Sequence, residues 1–170
     1  MLMTLDELNR LSAEQARAEL LKCCGSTAWA TKMCDARPFS DNDSLTAEAD
    51  EVCESLNEAD WLEAFRAHPK IGERKAATDQ SQQAQSWSAE EQSGVTNAAR
   101  ETVDELAQRN RDYEARFGFI FIVCATGKSP EEMLTILQAR IGNDRHDELR
   151  IAAEEQSKIT RLRLEKLLSQ

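Results

Sequence analysis

The sequence has few of the residues from which metal sites and disulfide frameworks are built. Only two of its 170 residues are histidine, so one chain cannot supply a multi-histidine metal site, and no His, Cys and acidic residues share zinc-site spacing. The cysteine count of five is odd, and no C-x-x-C pair occurs. Most of the cysteines fall in apolar helical patterns, where a thiol packs as a small hydrophobic side chain. We therefore expect free cysteines, no metal ion and a reducing, cytoplasmic environment.

Long apolar runs are also missing, and positive charge is in the minority. No stretch is long and apolar enough to span a bilayer, and the first ten residues carry acidic side chains without the apolar core of a signal peptide. The formal net charge is −10. Such a chain repels phosphate backbones and anionic lipids, so the sequence argues against nucleic-acid and membrane partners. An anionic substrate would need its own local arginine or lysine.

The motifs of several large enzyme classes are absent. The sequence contains no G-x-S-x-G element, no P-loop and no G-x-G-x-x-G fingerprint, and no Ser-His-acid order is evident. These absences argue against a serine hydrolase, a nucleotide-dependent transferase and a dinucleotide-dependent oxidoreductase.

Helical patterns dominate what is present. Several amphipathic segments begin with Ser or Thr in a capping position and end at Gly or Pro. The apolar run 117–123 is rich in aromatic and β-branched residues and suggests a buried extended segment, but no other strand is visible to pair with it. We predict an all-α fold: one domain over residues 1–170, a helical bundle of about eight helices with one short extended apolar segment.

The middle of the chain contains two segments with open interpretations. Residues 71–87 are polar and rich in Gln and Ser, which predicts a surface loop and would also suit an active-site lid. Ser88, with Glu91 three residues later, has capping-box spacing and predicts the start of a long helix over 88–116. Ser88, Glu91 and Gln92 would then lie at a helix N-terminus, where free N–H groups can bind an anion or a carbonyl. The pattern leaves open whether these residues cap the helix, contact a substrate or do both.

His68 is the candidate for proton transfer. Pro69 disfavours helical geometry in the residue before it, which places His68 at a helix end and at the start of the polar segment. Histidine can take and give a proton near neutral pH. A structural histidine is the alternative interpretation, and His146, which lies among charged residues, is expected to be exposed.

Two further features suggest ligand binding. A buried extended segment without strand partners has N–H and C=O groups that a planar, amide-rich ligand could pair with; the alternative is ordinary core packing. Arg161 and Arg163 flank Leu162 in the last helical segment, and either could turn inward to hold an anion, although both could instead lie at the surface.

Five segments, in order along nearly the whole chain, resemble the conserved blocks of the 2-oxo-4-hydroxy-4-carboxy-5-ureidoimidazoline (OHCU) decarboxylases of the urate-to-allantoin pathway. The segments are Cys24-Gly-Ser26 with Trp29 and Arg37-Pro-Phe39; Phe65-Arg-Ala-His-Pro-Lys-Ile-Gly72; Ser88-x-x-Glu91-Gln92-x-Gly94; Arg116-Phe-Gly-Phe-Ile-Phe-Ile122; and Ile159-x-x-Leu-Arg-Leu164. Each block alone is weak, but five in the right order make a specific match.

The resemblance implies an all-helical, usually dimeric enzyme without a cofactor, which removes CO2 from OHCU to give (S)-allantoin. It implies that His68 is the catalytic histidine and Glu91 its acidic partner. It implies substrate contacts at Pro69, Ser88, Gln92, Phe119, Ile120, Phe121, Ile122 and Arg163, the four residues of the apolar run acting through their main chain. Two rival functions stay open: a non-catalytic helical interaction module, and a hydrolase of a neighbouring ureide-pathway intermediate.

Overall fold

Helices make up the regular structure of the chain in the computed structural model, which describes residues 3–71, 81–92 and 100–168. Those residues contain nine helices and no β-strand. The helices are α1 Leu5–Arg10, α2 Ala13–Cys23, α3 Thr27–Asp35, α4 Asn42–Glu54, α5 Glu58–Arg66, α6 Gln82–Glu91, α7 Arg100–Phe117, α8 Pro130–Arg140 and α9 Arg145–Leu167. The predicted all-α class is confirmed.

Local capping chemistry sets many of the helix starts. Thr4 Oγ1 accepts a hydrogen bond from the Glu7 amide, and Glu7 Oε2 accepts one from the Thr4 amide. Ser12 and Ser129 form the same reciprocal box with the residue three positions later, and Pro130 occupies the first position of α8. These side chains satisfy amides that have no partner inside the helix, so their positions could be predicted from sequence.

The long helix predicted from Ser88 is wrong. The chain instead forms α6, whose N-cap is Ser81, and α7 begins at Arg100. Ser81 Oγ accepts a hydrogen bond from the Ala84 amide at 3.2 Å, and Trp87 and Ser88 are buried on the same helix. Part of the predicted polar loop is therefore helical, while residues 72–80 and 93–99 lie outside the described residues.

The chain forms two compact units. The first contains residues 1–64 and 156–170, with α2 packed on α3 and α3 on α4. Trp29 is fully buried there, and its Nε1 donates to the Ala49 carbonyl at 3.3 Å. Arg37 Nη1 donates to the carbonyls of Leu8 and Leu11 at 2.7 and 2.9 Å. These bonds bring α1, α3 and α4 together.

The second unit contains residues 65–155, with α7 packed on α8. Tyr113 lies at the centre of an aromatic cluster, with ring centroids 4.6 Å from Phe117, 5.9 Å from Phe119 and 5.3 Å from Phe121. Packing of this kind adds roughly 0.5–1.5 kcal/mol per pair beyond area burial. Gly118, with φ +81°, ends α7 in a conformation that other residues rarely adopt.

The apolar segment, defined here as residues 118–125, contains no helix or strand. The predicted buried non-helical run over 117–123 is therefore present from residue 118, whereas Phe117 is the last residue of α7. The side chains of Phe119, Phe121, Ile122 and Val123 are at most 5% exposed. All five cysteines are free thiols, as expected. Within the described ranges, no helix is long and apolar enough to cross a bilayer. The single-domain assignment stays a prediction.

Candidate active site

His68 lies just beyond the end of α5, as the sequence predicts. The helix ends at Arg66, and His68 is half-buried, with its amide donating to the Phe65 carbonyl at 3.1 Å. His146, by contrast, is exposed at the start of α9. Of the two histidines, only His68 lies in partly buried surroundings suited to a catalytic role.

Three contacts hold the main chain on both sides of His68. The Phe65 ring packs against Phe119 at a centroid distance of 5.6 Å. Lys70 Nζ forms an ion pair with Glu114 Oε2 at 2.6 Å. Asn110 Nδ2 donates to the Ile71 carbonyl at 3.2 Å. These contacts fix the main chain that carries His68, as a proton-transferring side chain would require.

Ser88, Glu91 and Gln92 lie at the C-terminal end of α6. Ser88 is buried, Glu91 and Gln92 are half-buried, and the Gln92 amide donates to the Ser88 carbonyl at 3.1 Å. Residues three and four apart share a helix face, so these side chains are neighbours. The interpretation of this group as an N-terminal anion site and as a capping box is wrong, because Ser81 caps the helix.

Glu91 lies within electrostatic range of the apolar segment. Burial raises the pKa of the Cys124 thiol, and the nearby carboxylates of Glu155 and Glu91 add to that rise, while Lys128 opposes it. A carboxylate has this effect only when it is close, because solvent screens distant charges. The negative charge of Glu91, at the end of α6, therefore acts on the Cys124 thiol in the apolar segment.

The main-chain groups of the apolar segment differ in their hydrogen bonding along its length. No hydrogen bond with a described residue is made by the N–H or C=O groups of Phe119, Ile120 and Phe121. Further along, side chains take the main-chain groups: Arg140 Nη1 donates to the Ile122 carbonyl at 2.7 Å, and the Cys124 amide donates to Glu155 Oε2 at 2.7 Å. Among the described residues, main-chain groups without a partner are therefore found at 119–121, whereas the Ile122 carbonyl already has one.

Arg163 and Arg161 have different environments in α9. Arg163 is 3% exposed, and its Nη1 lies 3.4 Å from the Lys22 carbonyl. Burial raises the thiol pKa of Cys23 and Cys24, and the charge of Arg163 opposes that rise. Arg161 is exposed and pairs with Asp50, with 2.7 Å between Nε and Oδ1. Of the two arginines, Arg163 is therefore the one that turns inward.

The structure places most of the predicted site residues in one unit. His68, Pro69, Ser88, Glu91, Gln92 and residues 119–122 belong to the unit 65–155, and Arg163 belongs to the unit formed by 1–64 and 156–170. Sequence patterns missed Arg140, Glu148 and Tyr113, which are buried and bonded to one another beside the apolar segment. No spacing rule links these three residues, because they come from three different helices.

A family model described as OHCU decarboxylase matches residues 9–165 of this chain. The chain belongs to the OHCU decarboxylase family. The family and the fold predicted from the five sequence blocks are therefore confirmed.

Relatives extend this result. The 2-oxo-4-hydroxy-4-carboxy-5-ureidoimidazoline decarboxylase of Haloferax volcanii is 30% identical, over 95% of this chain and 94% of that protein. The uric acid degradation bifunctional protein TTL of Arabidopsis thaliana is 38% identical over 94% of this chain. The chain spans only 49% of that plant protein, about half its length.

A solved structure shows the same OHCU decarboxylase fold. It is described as a crystal structure of OHCU decarboxylase in the presence of (S)-allantoin, and it superposes with a TM-score of 0.77 at 38% identity. The match covers 89% of this chain and 98% of that one. The enzyme class predicted from the sequence, a carboxy-lyase of urate degradation, agrees with these relatives.

Proposed function

We propose that this chain removes CO2 from OHCU to give (S)-allantoin, with His68 as the proton-transfer residue and Glu91 as its acidic partner. The observation that carries the proposal is the composition of unit 65–155. This unit contains His68, whose main chain is held by neighbouring contacts, and the face of α6 that carries Glu91. It also contains the buried apolar segment, whose main-chain groups at 119–121 pair with no described residue. Family membership names the reaction that these groups would serve.

The substrate supplies its own electron sink. The carbon that loses CO2 carries a hydroxyl group and adjoins a C=N bond. When the bond to the carboxylate breaks, its electron pair forms a C=C bond, and the former C=N pair moves to nitrogen, which takes up a proton. The resulting enol loses its hydroxyl proton, and the neighbouring carbon gains a proton on one face. Net uptake of one proton and release of CO2 give (S)-allantoin.

His68 would transfer a proton in this reaction, and Glu91 would assist it. His68 takes the hydroxyl proton, and Glu91 orients the imidazole and stabilises its protonated form. The free carbonyls at the C-terminal end of α6, where Glu91 lies, carry partial negative charge, and together with Glu91 they would favour a protonated imidazole placed there.

Different residues would bind chemically different parts of the substrate. The amide-rich ureido edge of the substrate would meet Ser88, Gln92 and the main chain of Phe119–Ile122, with Pro69 in contact beside His68. The planar guanidinium of Arg163 matches a carboxylate or a ring carbonyl. An arginine would also explain how a chain with net charge −10 binds an anion.

The test compares the two histidines. OHCU is generated from urate in situ, and the circular dichroism of (S)-allantoin is followed. His68→Ala should lose at least about a hundredfold in rate, whereas His146→Ala should keep the wild-type rate. Stereospecific production by His68→Ala at the wild-type rate would contradict the mechanism. Wild-type protein that acts on 5-hydroxyisourate instead, or on neither substrate, would favour the hydrolase or the interaction module.

A homodimer and a cytoplasmic location remain part of this proposal, as the family resemblance and the free cysteines suggest. Sedimentation velocity of the full chain tests the first, and fractionation of the source cells tests the second.

A further inference from the structure

Arg140 joins a buried charge cluster to the apolar segment. Its Nη1 donates to the Ile122 carbonyl at 2.7 Å, and its Nε donates to Glu148 Oε1 at 2.6 Å. The guanidinium also lies over the Phe121 ring, 4.7 Å from its centroid. One planar side chain thus contacts both the main chain and an aromatic ring of the segment.

Glu148 and its neighbours fix the orientation of Arg140. Glu148 is fully buried, and its Oε1 also accepts from the Tyr113 hydroxyl at 2.5 Å, while Oε2 accepts from Asn143 Nδ2 at 3.0 Å. Burial, and then the bond to Glu148, raise the pKa of Tyr113, so the phenol remains a donor. Both carboxylate oxygens are therefore occupied, which limits how the guanidinium can turn.

Stability alone does not require this arrangement. A buried Arg–Glu pair often adds little over apolar residues of similar size, because removing both charges from water offsets their attraction. The geometric effect is specific to arginine, since its rigid fork can bond a carboxylate and a carbonyl at once. Fixing the Ile122 carbonyl fixes the peptide plane between Ile122 and Val123. The hydrogen bond from the Cys124 N–H to Glu155 fixes the next peptide plane, between Val123 and Cys124.

The main chain that these bonds fix continues directly into the groups of Phe119, Ile120 and Phe121 that pair with no described residue. We propose that Arg140, oriented by Glu148 and Tyr113, is a positioning residue for substrate binding in this enzyme. It holds the apolar segment so that these main-chain groups are aligned before the ureido edge of the substrate arrives. This inference rests on the proposed function, in which that edge pairs with 119–122.

The test uses the double variant Arg140→Met/Glu148→Gln, which removes both charges without leaving one buried alone. Helix content is checked by far-UV circular dichroism, and kcat and KM for OHCU are measured. Hydrogen exchange of the peptide 117–125 is measured separately. The matched control is Arg109→Met/Asp112→Asn, an exposed pair on α7 with 3.8 Å between Nη1 and Oδ2.

The double variant should raise KM about tenfold while kcat changes less than about threefold, because binding alignment is lost and His68 and Glu91 remain. Exchange in 117–125 should become faster, and the control should match wild type in every measurement. A folded double variant with KM within about twofold of wild type would overturn the proposal. So would a fall in kcat with unchanged KM.

Tyr113→Phe covers the case in which the double variant does not fold. It keeps the ring and removes one hydrogen bond to Glu148, and it should raise KM about threefold with faster exchange. An unchanged KM would then overturn the inference. If wild-type protein makes no (S)-allantoin, the proposed function fails instead, and only the exchange result bears on the link between Arg140 and the segment.

Discussion

Asn110 Nδ2 donates to the main-chain carbonyl of Ile71 at 3.2 Å, three residues beyond His68. The same amide nitrogen donates to the Leu106 carbonyl within α7 at 2.9 Å. Both Asn110 and Ile71 are buried. A single side chain therefore joins the middle of α7 to the segment that carries the proposed catalytic histidine.

Asn110→Ala should weaken both the fold and the catalytic step. The buried Ile71 carbonyl would lose its partner, at a cost of about 1–3 kcal/mol in the free energy of unfolding. A looser His68 segment should lower kcat about tenfold. Gln108→Ala, on the exposed side of α7, is the control and should change stability by less than about 0.5 kcal/mol. Urea titration and the allantoin assay measure both effects, and equal kcat values for the two variants would refute the role of Asn110.

Glu91→Gln should separate catalysis from helix capping. Because Ser81 caps α6, losing the Glu91 charge should leave the melting temperature unchanged while the rate falls at least about a hundredfold. Ser81→Ala should do the reverse, costing about 1 kcal/mol of stability with little change in rate. Thermal melts and initial rates on both variants make the comparison. A Glu91→Gln variant that melts early and keeps its rate would return Glu91 to a structural role.

Arg163→Lys should affect substrate binding more than turnover. Lysine keeps the charge but loses the planar fork that matches a carboxylate or carbonyl. KM should rise about tenfold with kcat nearly unchanged. Arg161→Lys is the matched control, two residues away in α9, since Arg161 pairs with Asp50 at the surface. Similar KM values for the two variants would show that Arg163 does not contact the substrate.

Stability should fall as the pH rises above about 9. Burial raises the pKa of Cys24 to about 11, although bonds from Ser26 and Thr160 and the charge of Arg163 oppose the rise. The unfolded thiol ionises near pH ~8.5, so the stabilisation is complete below that pH and is lost as the pH approaches about 11. Cys24→Ala should reduce the slope of the unfolding free energy between these two values by about 1.4 kcal/mol per pH unit. Urea melts across this range measure the slope, and identical slopes would contradict the raised pKa.

Much of the local structure and the family could be predicted from sequence. The caps at Thr4, Ser12 and Ser129 act within one turn of helix, so a few neighbouring residues specify them. Pro69 places His68 at a helix end for the same local reason. The five ordered blocks indicate the family because they preserve the order and spacing of short segments along nearly the whole chain.

Tertiary structure distinguishes residues that local sequence patterns treat alike. Ser81 and Ser88 are both able to cap a helix, and the burial of Trp87 and Ser88 accompanies the earlier start. Arg161 and Arg163 lie two residues apart in one helix. Arg161 pairs at the surface with Asp50, 111 residues away, whereas Arg163 is buried beside the Lys22 carbonyl.

The hydrogen bond from Arg140 to the Ile122 carbonyl likewise joins residues 18 positions apart. The sequence by itself therefore determined the helix class, most helix ends and the family. Only the tertiary structure shows which polar side chains are buried and which groups they bond, because these bonds join residues that are distant in sequence.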